Sequence, residues 1–239
     1  MNRIIKINVL AANIENAKEL VEAAEGNIYI GVLVKNFSSI DIAVNEVNKL
    51  QNLKIPVSVG LGAGDPTQWE KVVAVATKTK PAHVNQVFPA AGYTISALKA
   101  VHSEATLVNA LVQPGGIPGK VSMLTGPISK NFKEFISCEA VAALFQESHI
   151  KSVKFYPIGG DKHLDEVAAM VKASVAAGIK IFEPTGGITL DSVESVVKTC
   201  LENGAEIVIP HIYTAMVDKK TGLTDPQVVK KLLTRLHAI

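Results

Sequence analysis

The chain has 239 residues, of which 24 are Lys or Arg and 22 are Asp or Glu, giving a formal charge of +2; so even a balance points to no nucleic-acid partner and no membrane surface. Hydrophobic residues make up 48% and charged residues 19%, enough apolar surface for one large core and too much for intrinsic disorder. No apolar run approaches the roughly 18 residues of a transmembrane helix, and the N-terminus opens on Arg3, Lys6 and strand-like residues instead of a signal h-region, which predicts a soluble cytoplasmic protein.

Along the chain, β-branched runs alternate with longer helical patterns. The runs cover 4–10, 28–35, 55–60, 83–88, 106–113, 152–156, 179–182 and 206–209. The helical patterns between and after them cover 13–24, 40–50, 67–79, 94–102, 138–147, 162–176, 190–201 and 225–236. Asn13 reads as the cap of the first helix, Thr189 precedes the seventh, and Thr224 caps the eighth with Pro226 just inside it. Gly178 and Gly204 sit where the sixth and seventh helices should end. Strand ends recur about every 26 residues through the first four steps, and the fifth step stretches to about 42. An insertion around 119–135 accounts for the difference.

Eight βα units without a composition break predict one α/β domain over 1–239 with parallel strands, a (β/α)8 TIM barrel; an open doubly wound sheet is the alternative. Cys138 and Cys200 belong to no CxxC pattern, so they read as packing residues, as does Trp69. Asn8, Asn85, Gln86 and Asn109 are polar residues inside strand runs, which predicts hydrogen bonds within the barrel or substrate contacts. Gln113 to Gly116 reads as a lid or as a plain turn, and His102, His149 and His237 carry no assigned chemistry.

In a barrel of this kind chemistry gathers at the C-terminal ends of the strands. The sixth run places Lys154 there, between Val153 and Phe155. Pointing into a confined apolar mouth, its ammonium loses solvation and its neutral amine becomes able to attack a carbonyl. A strand-end lysine that reaches solvent or pairs with Asp161 is the simpler reading. After the seventh run come Thr185, Gly186 and Gly187, and after the sixth Gly159 and Gly160. Glycine pairs ahead of a helix let backbone N–H groups approach an anion such as a phosphate, or else merely make tight turns.

Val-Lys-Phe-Tyr-Pro at 153–157 followed by Phe-x-Pro-Thr-Gly-Gly-Ile at 182–188 resembles the class I aldolases that cleave 2-keto-3-deoxy-6-phosphogluconate. The resemblance implies that Lys154 is the Schiff-base residue and that Thr185, Gly186 and Gly187 bind substrate and its phosphate, with Gly159 and Gly160 assisting. Gly62-Ala63-Gly64 matches the family more weakly, with Asp65 where the family has Thr. Gly31 falls where the family carries its general-base glutamate, and Lys35 where it carries an arginine, which makes Lys35 a candidate partner for the pyruvate carboxylate. With the insertion in the fifth unit, these departures make the chain look like the divergent KDGP aldolases. That likeness implies cleavage of 2-dehydro-3-deoxy-6-phosphogluconate, a phosphorylated keto-deoxy sugar acid, to pyruvate and D-glyceraldehyde 3-phosphate by a homo-oligomer.

Imine chemistry uses the protonated imine as its electron sink and requires no metal or cofactor. It does require a proton carrier, for which Glu183 stands first, Asp65 second and His211 third, His211 serving either as base or as phosphate contact. Asp65, Glu183 and His211 as ligands of a metal-dependent lyase, a sugar-phosphate isomerase on the same barrel, and a non-catalytic sugar-phosphate sensor are the alternatives.

Overall fold

The computed structural model describes residues 3–239. The run near the N-terminus is broken at Lys6 into β1 (Ile4–Ile5) and β2 (Ile7–Val9). β2 pairs with β3 (Ile28–Leu33), β3 with β4 (Val57–Gly60), β4 with β5 (His83–Val87) and β5 with β6 (Leu107–Pro114), all parallel. From β6 the sheet continues to β9 (Ser152–Phe155), β10 (Ile181–Pro184) and β11 (Ile207–Val208), and β11 pairs with β1. One stretch of chain therefore joins both edges of the sheet. The ring closes, and an Asn8 to His211 bridge extends the seam.

Among the described residues eight α-helices surround the ring: α1 (Ile14–Ala23), α2 (Ile40–Asn52), α3 (Trp69–Thr79), α4 (Phe88–Ala100), α5 (Cys138–Glu147), α6 (Leu164–Ala176), α7 (Val193–Glu202) and α8 (Pro226–Leu236). Successive residues of a strand face opposite sides. Val57, Val59, Val84, Val108, Val153, Phe155 and Phe182 face the helices and form the apolar layer between sheet and helix ring. Burying a side chain such as Phe155 fully contributes about 1.5–3 kcal/mol. The alternate positions face the barrel axis, and there the sequence is polar: Asn8, Ser58, His83, Asn85, Asn109, Ser152, Lys154 and Glu183 are all buried.

Local signals account for most element ends. Asn13 accepts from Asn16 N at 2.9 Å and caps α1. Gly178 and Gly204 take positive φ just past α6 and α7, and both cysteines are buried without a bond between them. Three boundaries differ from the sequence signals. α4 starts at Phe88, directly off its strand, because Pro89 is tolerated in a first turn where no N–H is needed. α7 starts at Val193 with Ser192 before it; Thr189 hydrogen-bonds Ser192 and does not open the helix. α8 is capped by Asp225, which accepts from Gln227 N, while Thr224 Oγ1 donates to Leu10 O and ties the loop to the first strand.

The insertion is a small antiparallel addition. β6 overruns the barrel and pairs with β7 (Lys120–Ser122), which pairs with β8 (Ile136–Ser137) ahead of α5. Gly115 stands where a Cβ would lie 2.5 Å from Lys120 O, so the 113–116 segment is a tight hairpin turn. Gly116 N donates to the buried carboxylate of Glu166 at 2.8 Å and fastens that turn to α6.

Candidate active site

Glu183 lies on β10 beside Lys154 on β9 in the sheet register. Its carboxylate has no exposure and accepts from four side chains: His83 Nε2 at 3.0 Å, Ser152 Oγ at 2.5 Å, Asn109 Nδ2 at 2.7 Å and His211 Nε2 at 2.7 Å. Burial alone would raise its pKa, yet the two histidines hold it well below the carboxylate range.

The hydrogen positions follow from donor and acceptor counts. Ser58 Oγ accepts from Asn8 Nδ2 and Asn85 Nδ2, so its own proton goes to His83 Nδ1 at 2.8 Å. His83 therefore carries its hydrogen on Nε2 and donates it to Glu183. His211 likewise presents Nε2–H to the carboxylate, which leaves Nδ1 as an acceptor for Lys154 Nζ at 2.9 Å. Lys154 also donates to Asn85 Oδ1 at 2.9 Å. Burial pulls the Lys154 pKa down to about 8 against the pull of Glu183. Burial and then the neighbouring lysine charge pull His211 down to about 3, so its ring is neutral.

Lys154 forms the floor of a small, open-mouthed pocket with a cavity volume of about 50 Å³. Leu33, Leu61, Leu111 and Tyr156 supply apolar wall, Thr185 and Tyr213 supply hydroxyls, and the backbone of 60–64 forms one side. Gly62 and Gly64 have positive φ there, and a Cβ on Gly62 would come 2.9 Å from Lys35 Cβ.

The remaining sequence candidates sit elsewhere around this floor. Asp65 is on the rim, where it accepts from Thr67 N and Oγ1 and pairs with Lys35 Nζ at 3.0 Å. The hydrogen bonds from Thr67, then Lys35, lower its pKa to about 2. It does not join Glu183 and His211, and among the described residues no three His, Cys, Asp or Glu side chains are arranged to hold a metal ion. Glu183 does not line the pocket; His211 stands between it and the lysine amine.

The two glycine pairs interlock. Gly160 N donates to Gly186 O at 2.9 Å and Ile158 N to Thr185 O at 3.0 Å. A Cβ on Gly160 would lie 2.7 Å from Gly187 O, and one on Gly187 would lie 2.9 Å from Gly160 N. All four glycines take positive φ. The helix that follows them begins only at Val193, six residues past Gly187.

His83, Ser58, Ser152 and Tyr213 are site residues that carry no signal by themselves. For the first three a signal existed in parity: His83 shares its face with Asn85, and Ser152 with Lys154. Tyr213 lies in the irregular loop after β11, outside any periodic pattern.

The KDGP aldolase family model matches residues 1–220. The chain is 42% identical over 236 residues to a Salmonella typhimurium (strain 14028s / SGSC 2262) protein named 2-dehydro-3-deoxy-phosphogluconate aldolase, covering 98% of this chain and 96% of that one. Among solved structures it resembles KGPDC from Streptococcus mutans, with a TM-score of 0.60 at 10% identity over 98% of this chain and 100% of the other. It also resembles the tryptophan synthase A-subunit from Pyrococcus furiosus, with a TM-score of 0.60 at 11% identity over 100% and 98%. At such identities these two likenesses speak to the barrel fold alone.

Proposed function

This chain belongs to the KDGP aldolase family and is a carbon–carbon lyase, and from that premise we propose that Lys154 forms a Schiff base with C2 of 2-dehydro-3-deoxy-6-phosphogluconate and releases pyruvate and D-glyceraldehyde 3-phosphate. The observation that carries the reading is the Lys154 amine itself, buried at the pocket floor between two acceptors, Asn85 Oδ1 and His211 Nδ1. A neutral amine has two N–H bonds and one lone pair. With both N–H bonds committed below, the lone pair takes the remaining direction, into the pocket, where a carbonyl carbon arrives.

His211 and Glu183 serve the lysine. As the ammonium loses the proton that faces the pocket, Nδ1 of His211 goes on accepting from the amine, and Glu183 fixes the ring tautomer from the other side. Glu183 thus positions Lys154 through His211 and does not touch substrate. Lys35, steadied by Asp65 at the rim, supplies positive charge for an anionic substrate. Thr185 lines the pocket, and beyond it the interlocked loops, with Gly160 N spent on Gly186 O, have the N–H groups of Gly159, Gly186 and Gly187 to offer the phosphate.

The test is borohydride reduction in the presence of pyruvate, followed by peptide mass mapping. A reduced three-carbon adduct on Lys154 with irreversible loss of activity is the expected result, since only an imine is reduced in this way. An unmodified Lys154 peptide under turnover conditions overturns the reading. Cleavage should also survive a chelator.

A further inference from the structure

We infer that Tyr213 is a further catalytic residue of this site: its phenol hydroxyl, held by Asn8 beside Gly31, is the proton carrier that faces the substrate. The inference rests on the Schiff-base reading of Lys154 and goes beyond it.

Imine formation and C3–C4 cleavage both move protons at substrate oxygens, yet no Asp, Glu or His lines the pocket among the described residues. Glu183 and His211 lie beneath Lys154 with their polar atoms engaged. Three hydroxyl side chains remain on the pocket wall: Tyr156, Thr185 and Tyr213. Thr185 Oγ1 donates to the Glu183 carbonyl at 3.1 Å, and the Tyr156 ring packs against the backbone at Gly64 and Gly186.

Tyr213 alone is wired to the buried network. Its hydroxyl donates to Asn8 Oδ1 at 3.2 Å, Asn8 donates to Ser58, and Ser58 also accepts from the Asn85 amide that holds Lys154. Its ring leans on the His211 imidazole with centroids 5.7 Å apart. On the facing strand, a Cβ at Gly31 would lie 3.4 Å from Tyr213 Oη and 3.1 Å from Leu10 Cδ2. The hydroxyl thus sits at ordinary contact distance from the Gly31 position. Burial, and then the charge of Glu183, keep the phenol above its ordinary range, so it rests protonated.

The proton balance closes on this one group. The neutral carbinolamine takes the phenol proton on its C2 hydroxyl and loses water, leaving an iminium cation on Lys154 and a phenolate on Tyr213. The phenolate then removes the C4 hydroxyl proton as the C3–C4 bond breaks, which regenerates the phenol, the aldehyde and the neutral enamine. Protonation of the enamine at C3 by the phenol and hydrolysis of the second iminium, with water returning the proton, restore the free amine. The iminium charge in the same pocket stabilises each transient phenolate.

Tyr213→Phe keeps the ring on His211 and removes only the hydroxyl. The expected result is a kcat lower by about 10²- to 10⁴-fold with KM altered less than about tenfold. Exchange of pyruvate methyl protons with D2O, which needs the imine and the C3 proton transfer but no aldehyde, should slow by a similar factor. Borohydride should still trap pyruvate on Lys154 at long incubation, which shows the site intact. A Tyr213→Phe enzyme with kcat and exchange within about threefold of the parent overturns the assignment, as does a loss confined to KM. A parent enzyme that forms no Lys154 adduct overturns the Schiff-base reading first, and this inference with it.

Discussion

Nδ1 of His211 lies 2.9 Å from Nζ of Lys154, and the opposite nitrogen of the same ring lies 2.7 Å from Glu183. A lysine in this position is desolvated yet has a buried hydrogen-bond acceptor, which separates it from a snorkelling strand-end lysine. Its pKa of about 8 compares with about 10.4 for a lysine in water.

Two pH dependences follow from that lowered value. The rate of pyruvate imine formation should rise to about pH 8 and level off above it, and a rate still climbing beyond about pH 9 would place an ordinary lysine in the site. The stability sign is as definite. Between about pH 8 and 10.4 the unfolded chain holds a proton on Lys154 that the folded chain has lost, so stability rises with pH in that window. Urea midpoints of the wild type should gain on those of Lys154→Met across it, and a constant difference would contradict the buried ammonium.

Asp65→Asn should be mild. The Lys35–Asp65 pair is at the rim with the lysine half exposed, and such pairs contribute about 0–1 kcal/mol. Asparagine also keeps an oxygen to accept from Thr67 N, so the turn into α3 survives. A kcat within about fivefold of wild type is expected, with a modest rise in KM for the anionic substrate. A kcat loss of two or more orders would return Asp65 to the list of proton carriers.

Gly160→Ala tests the loop pair. The added Cβ would meet Gly187 O at 2.7 Å, and φ at this position is +72°, so both loops must shift. KM for the phosphorylated substrate should rise about 10-fold or more, while unphosphorylated pyruvate should label Lys154 at the parental rate. Equal losses for both ligands would mean that these glycines support the pocket as a whole and do not read the phosphate.

The barrel was legible because its signal is redundant. Each β-branched run repeats at a nearly constant spacing, and the glycines after α6 and α7 mark their ends independently. Helix starts were less legible where two adjacent residues compete to cap, as Thr224 and Asp225 do, since only the tertiary bond from Thr224 to Leu10 decides between them. In the site, Lys154 and Thr185 stood out through short motifs that resemble a family. Glu183 was visible as a carboxylate next to the lysine strand, but its distance from substrate was not, because that depends on His211 crossing from another strand into the space between them. Tyr213 was invisible, since an aromatic residue in a loop reads as packing until the bond from its hydroxyl to Asn8 shows where that hydroxyl goes.

Glu183→Gln should cost the fold as well as the reaction. The carboxylate offers its oxygens to four donors, from His83, Ser152, Asn109 and His211, and has no contact with solvent. A glutamine amide keeps one acceptor oxygen and turns an NH2 group toward two of those donors, so buried N–H groups are left facing each other. Breaking a buried charged cluster on one side typically destabilises by about 3–5 kcal/mol. The acid limb should change too. A carboxylate held well below its ordinary pKa contributes stability that is complete above about pH 4.3 and is lost as pH falls through the folded value, because the unfolded chain takes up the proton first. Urea unfolding at neutral and acidic pH should therefore show a large gap between parent and variant at neutral pH that narrows in acid. Equal midpoints at neutral pH would show that the carboxylate does not hold the network together. A folded, stable variant whose kcat alone falls would instead argue for a carboxylate that meets the substrate directly.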